Sequence, residues 1–107
     1  MHNDSFDKTV TLLMEATGFD KQTCEELVNE SWEQAACLIT DIHKYVSENN
    51  LKEAGRLLHR LKGSSGNVRM NEISKLALDA EKAIHLMDSE MLDSLLQRME
   101  ESLKNFK

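Results

Sequence analysis

Apolar residues recur along this chain every three to four positions, the spacing of one face of an α-helix, in five series whose phase restarts four times. Phe6, Val10, Leu13 and Met14 make the first series. Asp4 or Ser5 stands ahead of it as a cap, and Gly18 follows as a stop. Asp20 opens a longer series, Cys24, Leu27, Val28, Trp32, Ala35, Leu38, Ile39, Ile42, Tyr45 and Val46, whose phase never slips, so one unbroken helix is expected. Asn49-Asn50 is the next turn, with Asn50 and Glu53 spaced as a capping box. The third helix is expected from Leu51 to about Gly66, and Asn67 to Met70 forms a short connection. Asn71 then caps a fourth helix carrying Ile73, Leu76, Ala77, Ala80, Ile84 and Met87. Asp88 caps a fifth that buries Met91, Leu92, Leu95, Leu96, Met99, Leu103 and Phe106. Every connection is short, which makes successive helices antiparallel neighbours. The pattern predicts an all-α fold: an antiparallel up-and-down four-helix bundle with a short additional N-terminal helix.

Composition narrows the picture. The 107 residues suffice for one core, and caps at both ends mark residues 1–107 as a single complete domain. Aromatics are 5% and proline is absent, which favours helices over a sheet. A net charge of −6 argues against nucleic acid as a partner. No apolar run approaches the ~20 residues of a membrane span, and no signal-peptide pattern opens the chain, so a cytoplasmic, monomeric protein is expected. Cys24 and Cys37 fall 13 positions apart on one helix, roughly 20 Å along its axis, too far for a disulfide. Both read as reduced thiols, with no second cysteine or histidine spaced to make a metal site.

The chemistry concentrates in Gly55-Arg56-Leu57-Leu58-His59-Arg60-Leu61-Lys62-Gly63-Ser64-Ser65-Gly66. On a helical wheel Ala54, Leu57, Leu58, Leu61 and Val68 share one side, and His59 lies roughly 140° from their centre, facing solvent. Gly55 and Gly63 flank it one turn away on either side, Gly66 stands two turns on, and Arg56 and Lys62 are at i−3 and i+3. A mid-helix glycine costs about 1 kcal/mol against alanine. Two such losses beside an exposed imidazole mean that space is kept for another protein's backbone. The cations suit an anion that comes and goes on the ring. Ser64 and Ser65 read as small for the same reason. His59 therefore reads as a phosphoryl-accepting histidine, whereas His43 and His85 read as plain helix residues and His2 as part of a fraying terminus.

His59-Arg60-Leu61-Lys62-Gly63-Ser64-Ser65-Gly66-Asn67-Val68 resembles the central motif of histidine-containing phosphotransfer (HPt) domains, in which x-x-Lys-Gly and small residues follow the histidine. Leu27, Trp32, Ile73, Leu76, Ala77 and Glu81 fall at that family's spacing. The resemblance implies a phosphoryl carrier without kinase activity of its own. Its partners would be receiver domains of response regulators, holding an aspartyl phosphate and Mg²⁺, and a hybrid sensor histidine kinase. Arg69 departs from the pattern, since the family keeps glycine there, and it implies either strain or a different turn.

Glu81 can be located without the resemblance. Met70 lies at the reflection point between the third and fourth helices, His59 is 11 residues before it and Glu81 is 11 after, so the two share a height. A carboxylate there accepts the proton of one ring nitrogen and leaves the other nitrogen's lone pair free to attack phosphorus. The free nitrogen of an exposed imidazole needs no strong base to act as a nucleophile. Lys62 supplies positive charge to the phosphoryl oxygens. No nucleotide-binding loop and no acidic magnesium site accompany these residues, so no bound cofactor is expected and the metal must come with the partner. Two other functions fit less well. A helical adaptor that binds a receiver or other partner without carrying phosphate would not need His59, Lys62 and the glycines together. A di-iron bundle needs Glu-x-x-His pairs, and Glu81 and His85 are four apart.

Overall fold

The computed structural model describes residues 4–107 and contains five helices in chain order: α1 Phe6–Thr17, α2 Lys21–Ser47, α3 Leu51–Asn67, α4 Asn71–His85 and α5 Ser89–Lys104. No strand occurs among the described residues. His2 lies outside them. The helix α2 has 27 residues, about 40 Å at 1.5 Å per residue, and sets the long dimension of 42 Å. α2 packs on α3, α3 on α4, α4 on α5 and α5 back on α2, while α1 lies against α2. This closed order gives one continuous core, filled by Val28, Ile42, Leu58, Leu61, Met70, Ile73, Leu96 and Met99, all fully buried. Cys24 is buried with them and Cys37 is exposed; both are free thiols.

Each connection turns on one left-handed residue: Gly18 (φ 74°), Asn49 (φ 56°), Arg69 (φ 69°) and Met87 (φ 56°). After α3, Met70 N–H donates to Ser65 O and Arg69 N–H to Gly66 O; the same pattern follows α2 and α4. These bonds satisfy the last carbonyls of each helix. Arg69 thus accepts the conformation a glycine would take, at a cost of roughly 1–2 kcal/mol, and the turn itself is preserved. Met87, expected on the buried face of the fourth helix, instead lies beyond it and is 85% exposed. Met91, in the first turn of α5, is exposed as well.

The caps correct the sequence reading in three places. Asp20 and Asp88 accept from Thr23 N–H and Met91 N–H as expected. Asn50 accepts from Glu53 N–H at 3.4 Å, but the Glu53 carboxylate turns to Arg56, so the box is half formed. Ser5 occupies the N-cap of α1 without a side-chain bond. Asp4 caps a different helix: its carboxylate accepts from Glu72 N–H at 2.9 and 3.0 Å and from Ile73 N–H at 3.1 Å. Asn71 is already the first residue of α4, and the N-cap position is the buried Met70, which has no side-chain acceptor. The bare amides at a helix start attract an anion, and Asp4 provides it from 68 positions away.

The far ends are tied likewise. Phe6 N–H donates to Phe106 O at 2.9 Å, and the two rings meet edge to face at 6.1 Å. The indole N–H of Trp32 donates to Leu103 O at 3.0 Å, anchoring the end of α5 to the middle of α2.

Candidate functional site

The helix α3 turns Ala54, Leu57, Leu58 and Leu61 into the core, and the same rotation leaves the His59 side chain 69% exposed. α4 lies alongside and carries Glu81 to the ring. His59 Nδ1 is 3.4 Å from Glu81 Oε2, and Lys62 Nζ is 3.5 Å from Glu81 Oε1. Both contacts are longer than an aligned N–H···O bond of about 2.9 Å. The Glu81 side chain is only 21% exposed, and its Oε1 is buried with no hydrogen-bond partner. A shielded, under-satisfied carboxylate between an imidazole and an ammonium leaves Nδ1 as the engaged nitrogen and Nε2 as the outward one. The height match of His59 and Glu81 expected from sequence is therefore observed. The second hold on Glu81, through Lys62, was not anticipated.

The glycines divide. A Cβ added at Gly63 meets nothing within 4 Å, and one at Gly55 makes only ordinary contact, 4.0 Å from Ile84 Cδ1. Neither glycine is required by packing within the chain. At Gly66 an added Cβ would stand 3.1 Å from Ser74 Oγ on α4. The missing side chain of Gly66, which the sequence also assigns to the approach of a partner, admits Ser74 of α4. Ser74 uses that space to donate from Oγ to Lys62 O at 2.9 Å.

The remaining candidates are engaged locally. Arg56 Nε donates to Glu53 Oε1 at 2.9 Å, a hydrogen bond that holds the Glu53 carboxyl below the usual carboxylate range. Ser65 is buried and its hydroxyl donates to Leu61 O, and Ser64 Oγ donates to the same carbonyl at 3.4 Å. His85 is exposed. His43 is more than a plain helix residue: its Nε2 approaches Glu100 Oε1 across the contact of α2 with α5. The apolar pattern carries no sign of the Ser74 contact or of the remote cap from Asp4. The first had a signal, since Gly66 lies four residues before Met70 and Ser74 four after, the same reflection that pairs His59 with Glu81.

Among the described residues no group of three or more His, Cys, Asp or Glu side chains is placed to hold a metal ion, and no helix is long and apolar enough to cross a membrane. No curated protein and no solved structure gives a significant match to the chain. The family model described as "Hpt domain" matches residues 24–107, from the first turn of α2 to the last residue, and so takes in the whole seam of His59, Lys62 and Glu81. The chain belongs to the Hpt domain family, whose members carry phosphoryl groups on histidine in two-component phosphorelays.

Proposed function

We propose that His59 is the phosphoryl-accepting residue of this domain, taking the group from a receiver-domain aspartate, or from a hybrid sensor histidine kinase, and passing it to a response regulator. The observation that carries this reading is the exposed ring with Nδ1 turned to Glu81 and open space over Gly63. The Nε2 lone pair attacks phosphorus, a P–N bond forms as the P–O bond to the aspartate breaks, and the aspartate leaves as a carboxylate. The Nδ1 proton stays on the ring and points at Glu81, which disperses the positive charge the imidazole acquires. Lys62 exchanges part of its contact with Glu81 for the phosphoryl oxygens, supplying the charge neutralisation that phosphoryl transfer chiefly needs. The reverse step returns the group to a receiver by the same path. Gly55 and Gly63 keep the approach clear for the incoming backbone, with Arg56 at its edge. Mg²⁺ belongs to the receiver's acidic pocket, and this chain acts as a carrier without kinase activity.

We read the ring of α2 to α5 as an up-and-down antiparallel bundle with α1 added in front, a single domain over 1–107 acting as a cytoplasmic monomer. The short connections support the topology. The test of the site is labelling by a phosphorylated receiver domain. Wild type takes up the label and His59→Gln does not, with helical content and melting unchanged. A His59→Gln protein that is still labelled removes His59 from the role.

A further inference from the structure

The seam between α3 and α4 is held by two kinds of contact. The buried face of α4 near Glu81 carries Ala77, Ala80 and Ala83, each fully buried. Such small side chains let helices approach closely but interlock weakly along the axis, because ridges of methyl groups make shallow grooves. Ile73 and Leu76 add bulk near the start of α4, and a directional contact beside them adds registration along the axis. Ser74 supplies a hydrogen bond of defined length to Lys62 O, 2.9 Å, and fits where Gly66 has no Cβ.

We infer that Ser74, through its bond to the Lys62 carbonyl in the gap left by Gly66, is a positioning residue that sets the register of α4 on α3 and so delivers Glu81 to His59. Ser74 and Glu81 are seven residues apart, two helical turns, and lie on one face of α4. Gly66 and His59 are seven apart on the facing stripe of α3. Lys62 is thus held by α4 at both ends: its carbonyl by Ser74 and its ammonium by Glu81. A slip of α4 by one residue would move the carboxylate by about 1.5 Å and swing it by roughly 100°, taking it off the ring. Gly66 is then the complement of a hydroxyl inside the domain, and Gly63 the complement of a surface outside it.

The consequence for phosphoryl transfer rests on the role proposed for His59, but the positioning itself can be measured without phosphate. Nitrogen-15 NMR of the His59 ring in the free protein reports which nitrogen carries the proton. In wild type the Nδ1–H tautomer is favoured by its contact with Glu81. In Ser74→Ala the ratio of Nδ1–H to Nε2–H falls about threefold, the scale of one neutral hydrogen bond, and transfer from a phosphorylated receiver slows with it. Gly66→Ala, which crowds the hydroxyl, shifts the ratio in the same direction. Because both act through one contact, Gly66→Ala/Ser74→Ala matches Ser74→Ala alone rather than the sum of the two. Ser74→Ala that lowers the melting temperature with an unmoved ring spectrum would reduce the residue to packing and overturn the inference, as would additive effects in the double variant. A wild type that takes no label, with a ring spectrum that still responds to Ser74→Ala, sinks the phosphotransfer role and leaves the positioning intact.

Discussion

Two histidines in this domain meet a glutamate from a neighbouring helix, and the two pairs stand in different surroundings. His43 on α2 approaches Glu100 on α5, and His59 on α3 approaches Glu81 on α4. The side chain of His43 is 39% exposed and its glutamate 55%; for His59 the order is reversed, 69% against 21%. One turn to either side of His43 stand Ile39, Thr40, Val46 and Ser47; around His59 stand Gly55, Arg56, Lys62 and Gly63. Among the described residues no lysine or arginine pairs with Glu100, whereas Lys62 shares Glu81. A histidine beside a carboxylate is thus not itself a site. The shielded carboxylate, the cation on the same acceptor and the bare helix surface distinguish the pair at His59.

Exchanging the histidines gives the largest contrast. His59→Gln loses receiver-dependent labelling entirely, while His43→Gln is labelled like wild type, read by acid-labile phosphate on the protein. Labelling that follows His43 would reverse the assignment. Lys62→Ala comes next. Loss of one charge-assisted contact to the phosphoryl group, about 1.5–3 kcal/mol, slows transfer roughly tenfold or more in a rapid-quench measurement, with the fold intact. Unchanged kinetics would take Lys62 out of the mechanism. Glu81→Gln retains the shape but not the charge, so we expect a several-fold slowing, about 1 kcal/mol of lost orientation, and a loss of the Nδ1–H preference by NMR. An unmoved ring spectrum would mean that the two side chains do not communicate in solution. The smallest effect separates the glycines. Gly63→Ala raises stability by up to about 1 kcal/mol in urea unfolding, since its Cβ meets nothing, yet slows transfer by crowding the docking face. Gly66→Ala gains less, because Ser74 must give way.

The helices were legible because their apolar phase is regular, and the meeting of His59 with Glu81 was legible because a short connection fixes a reflection point. At Gly66 the wheel leaves out a neighbour, for a physical reason. Seven residues bring a helix back to nearly the same angle, so Gly66 and His59 share a stripe. Near the connection, however, α4 leans against that stripe and covers it, and periodicity within one helix carries no record of which neighbour covers which turn. Asp4 escaped for a similar reason. Local capping rules pair an acid with the helix that follows it, whereas the acceptor for α4 arrives from the other end of the chain. Met87 and Met91 match the apolar spacing yet are exposed, one in the turn after α4 and the other in the first turn of α5, so apolar spacing alone does not decide burial at a helix end.

That long-range clasp gives the leading segment a larger part than its length suggests. The family match begins at residue 24, yet the first amides of the helix that bears Glu81 depend on Asp4. A fragment trimmed to the matched region would keep every residue of the proposed phosphoryl site and lose the fastening at the base of one of its walls. The wall that bears Glu81 thus draws its first fastening from an acid well upstream of the motif by which the family is known.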